Sequence, residues 1–272
     1  MARRRFDGKV VVVTGAAGGL GRALALRFGA AGAKLGLLDR DGAGLADTAT
    51  LLREATAPPT TTAVCDVTDA SACADAIATV RRQLGAIDVL INNAGISHRS
   101  AFVKTDLAVI RRVMEVNFFG ALHCTHAALP DLIAQRGQLI VISSVAGFAP
   151  LLARTGYAAS KHALHGFFDS LRSEVEPQGV GVLLVCPSFI ATGIEKNALA
   201  GDGAPVRHAQ AIVGVRASAD DMAAQIHDAA AAGRRLLLPG RTAKLAWWVS
   251  RLAPRRYERI MAARMKAELG GE

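Results

Sequence analysis

Tyr157 and Lys161 stand four positions apart in "GYAASKHALHGFF" (156–168), with only Ala158, Ala159 and Ser160 between them. On a helix, residues i and i+4 share a face, so a phenol and an ammonium can lie on one side of the same cleft. An unperturbed phenol ionises near pH ~10 and is no base near neutrality. A neighbouring positive charge favours the phenolate and moves the group toward the range useful for general acid–base chemistry. Two readings of the pair stand at this point. One is a buried tyrosine with a satisfied hydroxyl, the other a proton-transfer group.

A second cluster suggests what such a group would serve. "TGAAGGLG" (Thr14 to Gly21) follows the apolar run "KVVVVTG" and opens a stretch with helical spacing. Gly15 can make a tight turn, Gly19 lets a backbone approach a pyrophosphate, and Gly21, after Leu20, lets the helix pack close to the strand. The helix N-terminus offers free N–H groups and the positive end of a dipole to phosphate. Asp39 ends the second apolar run, 24 positions after Gly15. An acid at about that distance accepts hydrogen bonds from an adenosine 2′-OH and repels a 2′-phosphate, which favours NAD. Arg40 beside it is either a solvated loop residue or a partner for such a phosphate, so NADP stays the alternative.

These residues need a scaffold, and the chain supplies an alternating one. Short apolar runs read as strands at Lys9–Gly15, in "KLGLLDR", and near Thr61–Cys65, Val89–Asn92, Gln138–Ile142, Gly181–Cys186 and Arg235–Leu238. Helical stretches lie between them, around 42–55, 70–84, 105–135, 157–176 and 218–232. Parallel strands need crossover helices, so about seven alternations imply an α/β, Rossmann-type, doubly wound parallel sheet. The 272 residues, 51% hydrophobic, suit one large domain, here residues 1–240. Residues 241–272 fall outside the alternation and read as a basic helical extension broken at Pro254.

Charge follows the same division. From Arg234 onward ten Lys/Arg face three Asp/Glu, which is +7 of the net +9. That distribution, with no recognised binding fold, argues against nucleic acid as a partner. Cys65, Cys73, Cys124 and Cys186 form no C-x-x-C pair and read as reduced thiols. No secretory signal and no apolar run of membrane-spanning length opens the chain, and a cytoplasmic location is expected.

The T-G-x-x-x-G-x-G turn, "NNAG" (92–95), Ser144 and the Y-x-x-x-K of Tyr157 and Lys161 together resemble the short-chain dehydrogenase/reductases, over about residues 7 to 240. The resemblance implies an NAD(P)-dependent oxidoreductase interconverting a secondary alcohol and a ketone or aldehyde. It implies that Thr14 and Asn93 steady the turn, with Ala94 and Gly95 beside the cofactor. Asp66 and Val67 would contact adenine, and Pro187 and Thr192 of "PSFIAT" would lie near the nicotinamide. Ser188 stands where the family usually has glycine, which would narrow the approach to the ring. Asn117 would hold a water on the proton path, and Ser144, thirteen positions before Tyr157, would be the catalytic serine. Lys161, with an oxidised nicotinamide, would lower the Tyr157 pKa and hold the ribose. The resemblance also implies a homodimer or homotetramer through helices near 105–135 and 157–176. A dinucleotide-binding regulator and a redox-neutral epimerase or dehydratase on the same fold are the alternatives.

The remaining expectations are weaker in kind. Phe148, Leu151, Leu152, Phe189 and Ile194 make the expected substrate mouth apolar, with 195–210 as a mobile lid. His98 and Arg99 either border that opening or are ordinary loop residues. His123/His126 and His162/His165 have a spacing that could hold metal, but no carboxylate or cysteine set completes either pair, so no metal is assigned. The tail, with Trp247, Trp248 and Tyr257 among Lys and Arg, is read as a hairpin packed on the domain. A peripheral contact with an anionic membrane is the competing reading.

Overall fold

The computed structural model describes residues 3–55, 59–191, 198–206 and 216–266. Seven parallel strands form one sheet: β1 (Val10–Thr14), β2 (Lys34–Asp39), β3 (Thr60–Val64), β4 (Val89–Asn92), β5 (Gln138–Ile142), β6 (Gly181–Val185) and β7 (Leu236–Leu237). Their order is β3-β2-β1-β4-β5-β6-β7. The β1 register puts Val11 opposite both Leu35 of β2 and Val89 of β4. Every β1 residue is buried, because helices cover both faces.

Alternate residues of β1 point to opposite cores. Val11 and Val13 pack with α1 (Gly19–Ala30), α2 (Gly42–Glu54) and α7 (Ala219–Ala231). Val10 and Val12 pack with α3 (Ala70–Leu84), α5 (Gly120–Ala134) and α6 (Thr155–Val175). The strand order reverses between β1 and β4, so a crevice opens at their carboxyl ends. The glycine turn and the segment after Asn92 border that crevice. All four cysteines are buried and free, with the Cys73 sulfur 3.8 Å from that of Cys65 and 3.6 Å from that of Cys124.

The stretch expected as one helix over 105–135 is interrupted. It comprises a 3₁₀ turn (Phe102–Lys104), α4 (Leu107–Met114), a π-helical turn (Glu115–Phe119) and α5. The π turn carries Asn117, whose amide bonds to the chain outside the helix, and such bulges recur where a helix must aim a particular side chain. Periodicity alone does not register a one-residue insertion of this kind.

The extension forms α8 (Gly240–Leu252) and α9 (Pro254–Met265), with Pro254 at the first turn of the second helix, where its missing N–H costs nothing. Ala243, Ala246 and Tyr257 are buried in a third apolar cluster with Val145 and Ala149. Trp247 meets Phe148 edge-on at 4.8 Å, and the Arg251 guanidinium stacks 3.2 Å above the Trp247 ring. These contacts are those of a hairpin packed on the domain. Leu245, Trp248 and Leu252 remain exposed on the outer face of α8. No helix among the described residues is long and apolar enough to cross a membrane.

The glycine turn is fixed by close approach. A Cβ on Gly21 would stand 1.9 Å from the Gly15 carbonyl oxygen, so α1 could not keep its place against the turn. A Cβ on Gly18, whose φ of −172° any residue adopts, would meet nothing within 4 Å. Gly21→Ala is therefore expected to lower the free energy of unfolding by about 1–3 kcal/mol, the usual cost of forced overpacking. Gly18→Ala should leave it within about 0.5 kcal/mol of wild type. Urea titrations of both variants measure the contrast.

Candidate active site

One cleft runs along the crevice from the glycine turn to Lys161. Gly15, Gly19, Leu20, Asp39, Arg40, Asp66, Val67, Asn93, Ala94, Gly95, Tyr157, Lys161 and Pro187 all line it. Gly21 does not; it is buried beneath, as its packing role requires. Thr192 lies outside the described residues. The N-cap of α1 is Gly18, which provides no side-chain cap, so the first N–H groups of the helix are left without one at the cleft. Asp39 accepts from the Ala17 amide at 3.0 Å and the Asp41 amide at 3.1 Å, which aims its carboxylate across the turn. Arg40 is exposed.

The floor of the cleft is tied together by Thr14 and Asn93. The Thr14 hydroxyl accepts from the amides of Asn93 and Ala94, both at 3.0 Å. The Asn93 side chain donates to the carbonyls of Thr14 at 2.9 Å and Gly15 at 3.2 Å. Asp66 accepts from the Thr68 amide and hydroxyl and lies 3.5 Å from Arg112. The Thr68 amide first, and Arg112 with it, hold the Asp66 carboxyl below the usual carboxylate range. Arg112 lines the cleft and was not anticipated; its place on the helix leading to Asn117 is the signal that could have found it.

Four residues from three elements meet at the inner end. Asn117, buried in the π turn, accepts from the Ile96 amide at 2.8 Å and donates to the Ile96 carbonyl at 2.9 Å and the Ser160 hydroxyl at 2.9 Å. Lys161 is buried one helical turn after Tyr157 and donates to the Ile142 carbonyl at 2.9 Å. Burial lowers its pKa to about 8. Its ammonium lies 5.7 Å from the Tyr157 ring centre. Ser144 caps a 3₁₀ turn after β5, accepting from the Ala146 amide at 3.1 Å, and its hydroxyl bonds to the Tyr157 phenol.

The electrostatics of Tyr157 differ from the expectation. Burial holds the phenol above its ordinary range, and this outweighs the Ser144 hydrogen bond and the charge of Arg154, which both favour the phenolate. Arg154, three residues before Tyr157, is the charge that favours its phenolate; the Lys161 ammonium, 5.7 Å from the ring centre, donates to the Ile142 carbonyl. The correction has a simple cause. Desolvation of the buried phenolate costs more than the charge and hydrogen bond facing it offset.

A second cavity adjoins the first and shares Ser144, Tyr157, Ser188 and Ile190 with it. Leu151 and Phe189 line it as expected. Phe148 and Leu152 do not: Phe148 instead faces Trp247 of the extension. Ile194 and parts of the anticipated lid (195–197 and 207–210) lie outside the described residues, while Ala198 is buried in the cavity wall. Arg99 and Arg154 also line the cavity, and both are buried, so Arg99 is no ordinary loop residue. The far wall comes from α8 and α9, through Thr242, Ala246, Tyr257, Met261 and Met265. Sequence reasoning set the extension apart from the site and so missed these five.

His98 is fully buried, and its Nδ1 accepts the Tyr157 amide at 3.3 Å. Arg154, the N-cap of α6, gives that helix no side-chain cap, so His98 does so from another segment. Only a neutral imidazole can accept this bond, and burial first, then Arg154, pushes the His98 pKa from 6.5 down to about 4. The unfolded chain takes up this proton near pH ~6.5 and the folded chain only near ~4, so stability falls as pH drops through that window, by up to about 3 kcal/mol. Of the anticipated pairs, His123, His162 and His165 have local partners; His165 contacts the Ser143 hydroxyl at 3.0 Å and the Cys186 sulfur at 3.4 Å. His165, also at about 4, contributes with the same sign. Denaturation at pH 7 and pH 4.5 should show His98→Asn, which keeps an acceptor without the titration, losing less stability to acid than wild type.

Comparison with known proteins places this geometry in a family. The family model "short chain dehydrogenase" matches residues 9–202. A Rattus norvegicus protein, dehydrogenase/reductase SDR family member 7B, is 38% identical over 266 residues, covering 95% of this chain and 82% of the relative. An Anopheles gambiae dehydrogenase/reductase SDR family protein 7-like is 39% identical over 96% of this chain and 84% of its own. Among solved structures, a short-chain dehydrogenase/reductase from Burkholderia phymatum in complex with NAD superposes with a TM-score of 0.83 at 26% identity, covering 93% of this chain and 96% of that one. Levodione reductase superposes at 0.75, also at 26% identity, over 86% of this chain and 96% of its own. With the motif residues gathered at one crevice and relatives matched along nearly its whole length, the chain belongs to the short-chain dehydrogenase/reductase family.

Proposed function

We propose that the protein is a nicotinamide-dinucleotide-dependent oxidoreductase that interconverts a secondary alcohol and a ketone, with Tyr157 as the proton-transfer group. The observation that carries this reading is the junction: Ser144 and Tyr157 are shared by the cleft and the cavity. A reacting carbon held there would face the cofactor on one side and an acid–base pair on the other.

The chain's residues fit the cofactor. The uncapped first turn of α1 and the turn at Gly18 and Gly19 suit a pyrophosphate, and Asp39 suits a ribose diol. Asp66 and Val67 border the adenine end, and Pro187 the nicotinamide end. The NAD-bound Burkholderia phymatum relative supports this assignment. When bound, the nicotinamide supplies hydride exchange with the substrate carbon.

The protein's part is placement and proton transfer. In the oxidising direction the Tyr157 phenolate accepts the alcohol proton; in the reducing direction the phenol returns it. Ser144, already bonded to the phenol, steadies the substrate oxygen as charge develops on it. Lys161 holds the ribose from the cleft floor and, with Arg154, supplies positive charge near the phenol. Asn117 acts mainly as a brace: its amide is occupied by Ile96 and Ser160, so any water it holds would be on its main chain. Leu151, Phe189, Met261 and Met265 suit a substrate with an apolar body. Buried Arg99 and Arg154 favour a second reading of that substrate, in which it also carries an acidic group close to the reacting carbon. We assign the subunit contact of a dimer or tetramer to α4–α5 and α6, where Phe119 is exposed, and the protein to the cytoplasm.

Tyr157→Phe is expected to lower turnover by about 10²–10⁴-fold while sparing dinucleotide affinity. Cofactor absorbance read against a panel of ketones and alcohols, with and without a carboxylate, tests this; near-wild-type turnover rejects the mechanism. Wild type should favour NAD, and Asp39→Gly should shift the kcat/KM ratio toward NADP by about tenfold or more, since no carboxylate at the strand end then repels the 2′-phosphate. A wild-type preference for NADP overturns the assignment to Asp39.

A further inference from the structure

We propose that Tyr257, on the C-terminal extension, is a specificity-determining residue whose hydroxyl donates a hydrogen bond to an acceptor on the substrate, away from the reacting carbon. The proposal rests on reading the second cavity as the substrate site.

Three observations point to it. Tyr257 lines the cavity that Ser144 and Tyr157 open into. The residue is only 5% exposed, and its hydroxyl is buried with no hydrogen-bond partner among the described residues. Burial pushes its pKa up to about 12, so the group stays a phenol and a donor at any working pH. A buried hydroxyl without a partner costs stability, and folded proteins keep few such groups. The position gains nothing structurally from the oxygen: its ring packs with Ala243, Ala246 and Val145, which a phenylalanine would satisfy equally. An oxygen without a partner among the described residues, in a wall it shares with Thr242, Ala246, Met261 and Met265, is a ready donor for a ligand.

The chemistry defines the ligand class. The substrate has an apolar body that lies against the two methionines and an acceptor, such as a carbonyl or ether oxygen, at the end remote from its alcohol or ketone. A site built to hydrogen-bond a ligand discriminates against the analogue that lacks the group, because the donor is then left unpaired. The extension therefore selects among substrates, and the cleft supplies the reaction.

Methyl ketones of increasing length, each as the plain 2-alkanone and as the matched chain ending in a methyl ester, test the proposal with the full chain and saturating dinucleotide. In wild type, at one chain length, the ester should exceed its alkanone in kcat/KM by at least about tenfold, mostly through KM. Tyr257→Phe should erase that advantage while leaving kcat on the alkanone within about twofold, and its melting temperature should equal or exceed that of wild type. An ester-to-alkanone ratio that Tyr257→Phe leaves unchanged at every length overturns the proposal, as does a lower melting temperature with unchanged discrimination, which would make the hydroxyl structural. The Tyr157→Phe variant keeps the two readings apart: near-wild-type turnover there refutes the acid–base assignment, while the Tyr257 comparison still reads on whatever turnover wild type shows.

Discussion

The site hangs on one buried amide. Asn117 pairs with both backbone groups of Ile96 and also reaches the Ser160 hydroxyl, so it joins the segment after β4, the α4–α5 helix and the helix that carries Tyr157. An unpaired amide in that position would be costly, which makes the three-way junction all-or-none. The π turn is the backbone's accommodation to it: the helix widens by one residue so that one side chain can leave the helix axis and bind another element. Thr14 and Asn93 make a second knot of the same type at the glycine turn. Between the two knots the crevice is held rigid, while its lining groups stay turned toward the open side.

Burial and charge act in opposition at this inner end. The phenol and the ammonium both sit in surroundings that disfavour their ionised forms, with Tyr157 held high and Lys161 brought down to about 8. Each is thereby moved toward its neutral form, and the two pKa values are drawn apart. Positive charge brought beside the phenol is what would move it back toward the range useful for acid–base work.

Much of this was legible in the order of residues, for reasons that differ by element. The strands are buried on both faces, so "VVVV" and "QLIVI" stand out as unbroken apolar runs. The glycine turn is readable because Gly21 tolerates no side chain, and Asp39 because a strand end at that distance has few other uses for a carboxylate. The interruption of 105–135 was not legible, since it is caused by a partner, Ile96, that sequence spacing does not reveal. Nor was the sign of the Tyr157 shift, because desolvation depends on what packs around the ring. The extension was legible as a hairpin packed on the domain, and Ala243, Ala246, Tyr257 and Met265 are buried accordingly; its charge and its place outside the alternation did not reveal that it also walls the second cavity.

The two hollows are also completed at different points along the chain. Every described residue lining the cleft lies at or before Ile190, whereas the adjoining cavity needs residues up to Met265. The lining of the cleft is thus independent of the last two helices, and the cavity beside it is closed only by them. On the proposed function, substitutions in those final helices would alter what the cavity admits while leaving the lining of the cleft unchanged.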